Sequence, residues 1–317
     1  MKAIQLRGFG GIENFNVTEV ADVRPGPTQL AVKVRATSVN PLDIQTRRGD
    51  YRDQITLPAI IGNDVSGQVI EVGSMVTGWK AGDEVFYFAP IFDGNGTYAE
   101  IHVIDAELVV HKPARLNHAE AASLPLAATT AWTALHERAA LKPGETVVIH
   151  AGAGGVGSLA IQLARIAGAR VLTTCRPENE GLVRSLGADE TIDYRTTDWI
   201  SAVLDLTQGR GADVVFDTVG GDTLSQAPRG LAACGRLVTI VDTAKPQNLL
   251  AACERNLRYD FVFAAPDADK LRAIAELAER GTFIPVIDSK FPISHVGAAH
   301  AHVEAGGVKG KVVLSGF

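Results

Sequence analysis

The feature that most narrows what this chain can fold into is the run VVIHAGAGGVGSLAIQLA. Gly152, Gly154 and Gly157 stand there in G-x-G-x-x-G spacing. A short apolar strand, Thr146–His150, precedes the run. Val156, Leu159, Ala160, Leu163, Ala164 and Ala167 follow on one face of a helix. The first glycine permits a tight turn, the second lets backbone approach a pyrophosphate, and the third lets helix and strand pack closely. The N–H groups and dipole of the helix start favour phosphate. Taken alone the spacing is weak, since a glycine-rich turn can be purely structural. Here strand-like and helical segments alternate onward: 170–174, 178–186, 190–194, 198–208, 213–217, 224–233 and 236–241, with 261–264 as a further edge strand. This alternation predicts a parallel sheet with helices on both faces, an α/β fold that binds a dinucleotide.

The second strand of the alternation ends Thr173-Thr174-Cys175-Arg176, with no carboxylate before Glu178. An NAD site places Asp or Glu near this point, on the ribose hydroxyls. Arg176 instead offers a fork for a 2′-phosphate, which favours NADPH. The alternative is a solvated loop arginine. Tyr194, at the end of the third strand, either flanks the adenosine or packs in the core.

The first 120 residues read differently, as short strands punctuated by Gly, Pro and Asp. Residues 29–40 alternate like a half-buried strand, and 66–74, 83–88 and 98–112 add more, suggesting a curled antiparallel sheet or partial barrel. Residues 120–141 form an Ala-rich helix broken or kinked at Pro125, 267–280 a charged helix, and the tail returns to β-like pieces. Strands at both ends around a parallel unit predict an insertion. A β-rich domain made of 1–121 and 267–317 would hold the doubly wound domain 122–266.

Composition excludes other classes. With 30 basic and 36 acidic residues the formal charge is −6, unsuited to a dedicated nucleic-acid binder. The uncharged stretch 146–164 carries four glycines and reads as strand–turn–helix, so no membrane span is expected. The three cysteines, Cys175, Cys234 and Cys253, form no Cys-x-x-Cys pair and read as buried thiols of a cytoplasmic protein.

Several segments, in order, resemble the medium-chain dehydrogenase/reductase superfamily, and within it the zinc-independent quinone oxidoreductase branch (zeta-crystallin-like). They are NPLDIQTRRGDY (40–51), PAIIGNDVSGQVIEVGSMV (58–76), GDEVF (82–86), GTYAE (96–100), LPLAATTAWTAL (124–135), AGAGGVG (151–157), DVVFDTVGG (213–221) and GKVVL (310–314). The resemblance implies a GroES-like catalytic domain, an inserted Rossmann domain, a cofactor in the cleft between them and a homodimer formed through a sheet edge near 261–264. Zinc-dependent members place Cys where this chain has Asn40 and His-Glu where it has Asn63-Asp64, and neutral amides are poor zinc ligands. No metal is expected, and His300-x-His302 reads as part of a helix.

Without a Lewis acid the expected acceptor is conjugated: a quinone, an enone or an enal, across which the charge of an arriving hydride spreads. By resemblance, Asn40 lies beside the nicotinamide and donates to the acceptor oxygen, or else caps a turn before Pro41. Tyr51 bonds the same oxygen, delivers a proton, or lines the pocket. Asp43 and Asp64 read as loop stabilisers. The implied cofactor contacts are Asn40, Thr130, Gly152, Gly154, Gly155, Val156, Gly157, Thr174, Arg176, Tyr194, Thr218, Val219 and Val241, with Lys311 on the phosphates or else solvated. The loop 91–96 and segment 242–249 match nothing distinctive. Two alternatives stand beside the reductase reading. One is an enoyl thioester reductase, whose acyl carrier would need a basic entrance such as Arg47, Arg48 and Arg52. The other is a non-catalytic NADPH-binding sensor.

Overall fold

A computed structural model describes residues 1–92, 94–241 and 249–316. Asp93 and residues 242–248, within the two stretches that matched nothing distinctive, lie outside the described residues. The chain divides into two compact units, Met1–Thr129 with Ala265–Phe317, and Thr130–Ala264. The first crossing falls inside the helix Pro125–Trp132, later than the expected 121/122. Residue 126 stays with the first unit because its N–H donates to the buried carboxylate of Asp64, at 2.8 Å.

The first unit is built from both ends of the chain. Lys311–Ser315 pairs antiparallel with Gln29–Val39, Val312 facing Val39 and Leu314 facing Thr37. Gln29–Val39 also pairs with Asp64–Val72 and Ile101–Asp105, and Asp64–Val72 with Glu84–Phe88. A smaller sheet joins Phe15–Glu19, Lys2–Leu6 and Ala59–Ile60. The core shared by the two ends includes Ile4, Leu6, Val39, Ile44, Ile293, Val296, Val312 and Leu314, and water exclusion from these apolar side chains holds the ends together. The expected half-buried alternation of Gln29–Val39 is only partly present. Lys33 and Arg35 are exposed, but Leu30–Val32 and Ala36–Val39 are all buried. The helix His118–Ala122 covers part of that strand, Ala122 packing with Ala36 and Val313.

The second unit is a six-stranded, all-parallel sheet. Its order is Glu190–Asp193, Arg170–Cys175, Thr146–Ile149, Ala212–Asp217, Leu231–Thr239, Arg258–Phe261. In sequence order this is 3-2-1-4-5-6, the doubly wound arrangement, whose direction reverses between Thr146–Ile149 and Ala212–Asp217. Ligands of such sheets bind beyond the carboxyl ends of the strands at that reversal.

Local expectations needed correction in several places. The helix expected over 120–141 is three pieces: His118–Ala122, Pro125–Trp132 and a π-helical turn Thr133–Arg138. Of the two readings of Pro125 the break holds: Pro125 starts a new helix, where its missing N–H costs nothing. The helix expected over 224–233 ends at Gln226, and a 3-10 turn carrying Pro228 leads into the strand Leu231–Thr239. The edge strand is Arg258–Phe261, not 261–264. Cys175 is buried as expected, whereas Cys234 and Cys253 are exposed.

Candidate active site

In the second unit, the end of Thr146–Ile149 turns sharply into the helix Gly157–Ile166. A Cβ on Gly152 would lie 2.0 Å from Thr173 Oγ1, and one on Gly157 would lie 2.3 Å from the Ala151 carbonyl. Both positions therefore exclude any larger residue. Gly154 differs: its Cβ would meet only the Ala151 carbonyl, at 3.2 Å. Space thus remains above the turn where a pyrophosphate needs close backbone approach. Among the described residues, no hydrogen bond occupies the N–H of Gly155 or Val156. These two precede the helix start, where N–H groups point outward. A dinucleotide therefore fits this turn through Gly154, Gly155 and Val156.

Thr174 plays a different part from the one expected. It is buried, its Oγ1 accepts from Ala151 N–H at 3.0 Å and pairs with His150 Nδ1 at 3.2 Å, and its carbonyl accepts from Gly152 N–H at 3.0 Å. It braces the turn from below. His150 is itself buried, its ring edge-on to Trp199 at 4.5 Å, and desolvation pushes its pKa down to about 3.

Across the reversal point, Asp217 ends the fourth strand fully buried. Its carboxylate accepts from Val219 N–H at 3.3 Å, Gly220 N–H at 3.0 Å and Thr239 Oγ1 at 3.0 Å. Thr218 Oγ1 donates to the His150 carbonyl at 2.8 Å, tying this loop to the glycine turn. Val219 is half exposed, and Val241 N–H bonds Thr239 Oγ1 at 3.2 Å. The expected residues 218, 219 and 241 therefore gather around one missed organiser. Thr130, also expected at the nicotinamide, is buried.

The rim at the second and third strand ends is exposed. Arg176 Nε donates to Tyr194 Oη at 3.2 Å, and Tyr194 is 49% exposed, so packing in the core is ruled out for it. Glu178 lies 3.9 Å from Arg176 and 3.4 Å from Arg195.

In the first unit three strand ends meet. The register that pairs Val312 with Val39 carries Lys311 to the level of Asn40. Lys311 is buried, its ammonium donating to the carbonyl of Val39 at 3.1 Å and to Asn40 Oδ1, 3.6 Å from Asp64 Oδ2. Burial excludes the solvated reading of Lys311, and the ammonium serves the Asn40 amide. Asp64 Oδ2 accepts from Asn40 Nδ2 at 2.8 Å and Ser38 Oγ at 2.5 Å. Asp43 accepts from Asn40 N–H at 2.7 Å and Tyr98 Oη at 3.1 Å, and Tyr98 Oη meets His300 Nε2 at 3.1 Å. Burial raises the Asp43 pKa to about 7. The two aspartates thus do more than stabilise loops. For Asp64 the signal in the sequence was a carboxylate among strand residues, as in NDVSG.

Tyr51 sits past the other end of the helix Pro41–Arg48, about 12 Å long at 1.5 Å per residue. Its ring packs on Phe92 at 4.7 Å. His300 and His302 face different partners, Tyr98 and Asp288. The Asn40, Asn63 and Asp64 set does not fit zinc: two donors are neutral amides, and a buried ammonium lies against the only carboxylate.

Two family models match, one described as alcohol dehydrogenase GroES-like domain over residues 26–114 and one as zinc-binding dehydrogenase over 186–314. A quinone oxidoreductase of Pseudomonas aeruginosa is 34% identical, over 99% of both chains. A solved NAD-dependent alcohol dehydrogenase superposes with TM-score 0.94 at 31% identity over 99% of both chains. The Escherichia coli quinone oxidoreductase complexed with NADPH does so with TM-score 0.89 at 26% identity, covering 99% of this chain and all of its own. With the first unit GroES-like and the second a Rossmann sheet, the chain belongs to the medium-chain dehydrogenase/reductase superfamily, as an oxidoreductase of the zinc-independent quinone oxidoreductase branch.

Proposed function

We propose that the chain is an NADPH-dependent reductase that delivers hydride to a quinone or an α,β-unsaturated carbonyl. The observation that carries this reading is the Arg176–Tyr194 pair, at a strand end where a ribose-binding carboxylate would otherwise stand. Tyr194 takes the Nε, and a 2′-phosphate would compete with the exposed Glu178, 3.9 Å away, for the terminal NH groups, a charge-assisted fork. The turn at Gly154–Val156 takes the pyrophosphate, and Thr218 and Val219 flank the dinucleotide. NADPH, when bound, supplies the hydride. Asn40 donates its amide to the oxygen on which charge develops, in the manner of an oxyanion hole.

Titration of the protein with each nucleotide tests the first part. NADPH should bind more tightly than NADH, and Arg176→Ala should narrow the gap by about 10- to 100-fold, the worth of a charge-assisted bond. Equal affinities in the unaltered protein would overturn the NADPH assignment. Turnover of 1,4-benzoquinone or an enone, unchanged by a chelator, tests the second part. Absence of turnover with every such acceptor favours the sensor. Of the three arginines of the basic entrance that the enoyl thioester alternative needs, Arg47 and Arg48 both pair with Glu304 at 2.6 Å, which leaves Arg52 and weakens that reading.

We further propose a homodimer formed through the edge strand Arg258–Phe261, beside which Phe261 and Phe263 are 57% and 62% exposed. A Phe261→Lys variant that runs unchanged as a monomer or dimer on size-exclusion chromatography with light scattering would refute it. The unpaired thiols support a reducing compartment, and we propose the cytoplasm. No described helix is long and apolar enough to cross a membrane.

A further inference from the structure

We infer that Lys311 and Asp64 are positioning residues that set which face of the Asn40 amide meets the acceptor, and that the Lys311 ammonium strengthens the N–H that remains. This rests on the reading of Asn40 as the donor to the acceptor oxygen.

The orientation of an asparagine amide is decided by its neighbours. Here they carry opposite charge. The ammonium of Lys311 can only donate, and it meets Oδ1; the carboxylate of Asp64 can only accept, and it meets Nδ2 at 2.8 Å. Turning the amide over would set NH2 against the ammonium and C=O against the carboxylate, two repulsions in a buried site. Each clamp residue is itself held. Asp64 accepts from Ser38 Oγ and from the backbone N–H of residue 126, and Lys311 donates to the Val39 carbonyl. The Asn40 backbone N–H is anchored separately on Asp43.

Two consequences follow from this geometry. An amide nitrogen carries two hydrogens, and Asp64 takes one, so the second is left in a fixed direction. A cation on the amide oxygen also draws electron density from nitrogen through amide resonance, so this second N–H becomes a stronger donor. The charge that a metal ion would bring to an acceptor oxygen directly is here passed on, in part, through the asparagine.

Steady-state kinetics on a series of substituted benzoquinones test the inference. Lys311→Met should lower kcat about tenfold or more, less than the 10²–10³ typical for losing an oxyanion donor outright, with the Kd for NADPH unchanged. The loss should grow as the acceptor becomes less electron-poor, a trend that a merely structural role would not produce. Lys311→Arg should restore most of kcat. In an Asn40→Ala background, Lys311→Met should cost less than about twofold, because a residue acting through Asn40 has nothing left to act on. Additive losses, or an undiminished kcat in Lys311→Met, would overturn the positioning role while leaving the Asn40 reading intact. Full activity in Asn40→Ala alone would overturn both. Should removal of the buried cation unfold the protein, the charge-neutral pair Lys311→Met with Asp64→Asn replaces it, with the same expected losses and the same additivity criterion.

Discussion

The two candidate clusters, one in each unit, are made from opposite materials. The glycine turn of the second unit works through missing side chains: Gly152 and Gly157 leave no room, Gly154 leaves room for a ligand, and backbone N–H groups face the opening. The cluster around Asn40 works chiefly through side chains, with Ser38, Asp43, Asp64, Tyr98, His300 and Lys311 all buried and joined by hydrogen bonds. A phosphate varies little between ligands, so a backbone cradle suffices for it. An acceptor oxygen needs a donor with one direction, and buried charges impose direction because each wrong arrangement carries a desolvation penalty.

The sharpest way to break this contrast is to put a methyl group into the turn. Gly157→Ala places Cβ against backbone that cannot yield, and overpacking there should destabilise the second unit by about 3 kcal/mol, with dinucleotide affinity falling with it. Gly154→Ala should leave denaturant unfolding within about 1 kcal/mol of the parent yet weaken NADPH binding at least tenfold. Wild-type affinity in Gly154→Ala would show that no pyrophosphate approaches that atom.

A smaller effect is expected at Asp217, the one fully buried carboxylate among the described residues of the second unit. Asp217→Ala removes the acceptor of two loop N–H groups and of Thr239 and should cost about 2 kcal/mol in unfolding experiments. An unchanged midpoint would mean the loop holds its shape without the carboxylate.

The pH response should differ between the halves as well. Asp43, with its folded pKa raised to about 7, contributes stability that is complete below the unfolded value near 4 and is lost as pH rises through 7. Asp43→Asn should flatten the stability profile of the first unit between about pH 4 and 8. The buried histidines act in the other direction. His150 in the second unit, like His102 and His300 in the first, contributes stability present above about 6.5. It is lost as pH falls through about 3 for His150 and His300 and about 4 for His102. Unfolding midpoints measured across this range would show an unaltered slope in Asp43→Asn if its carboxyl titrates normally.

The smallest change is expected at the exposed rim. Glu178 competes for Arg176 and Arg195, and Glu178→Gln should tighten NADPH binding about twofold to threefold, since exposed pairs are worth under about 1 kcal/mol. A weakened affinity would mean that Glu178 holds the guanidinium in place.

The same contrast explains what could be read in advance. The glycine turn lies within six consecutive positions, and the parallel order follows from alternation along the chain, so both were visible in the sequence. The insertion could be inferred because strand-like segments flank that alternation. The Asn40 cluster gathers positions 38, 40, 43, 64, 98, 300 and 311, and each alone resembles a loop polar residue, a core aromatic or a solvated lysine. Only the pairing of Lys311–Ser315 with Gln29–Val39 brings Lys311 to Asn40. Likewise Thr174 ended the right strand, but which way its hydroxyl faced depended on His150 and Ala151 beside it.

That pairing also sets a timetable. Residues 40 and 311 are 271 positions apart, and everything between them, the whole inserted sheet included, leaves the ribosome before the last strand arrives. The inserted unit has all its own strands in one stretch and can close first, which keeps a long flexible loop from having to be spanned entropically. During synthesis, therefore, the inserted unit is complete while the Asn40 cluster of the other unit still waits for its cation.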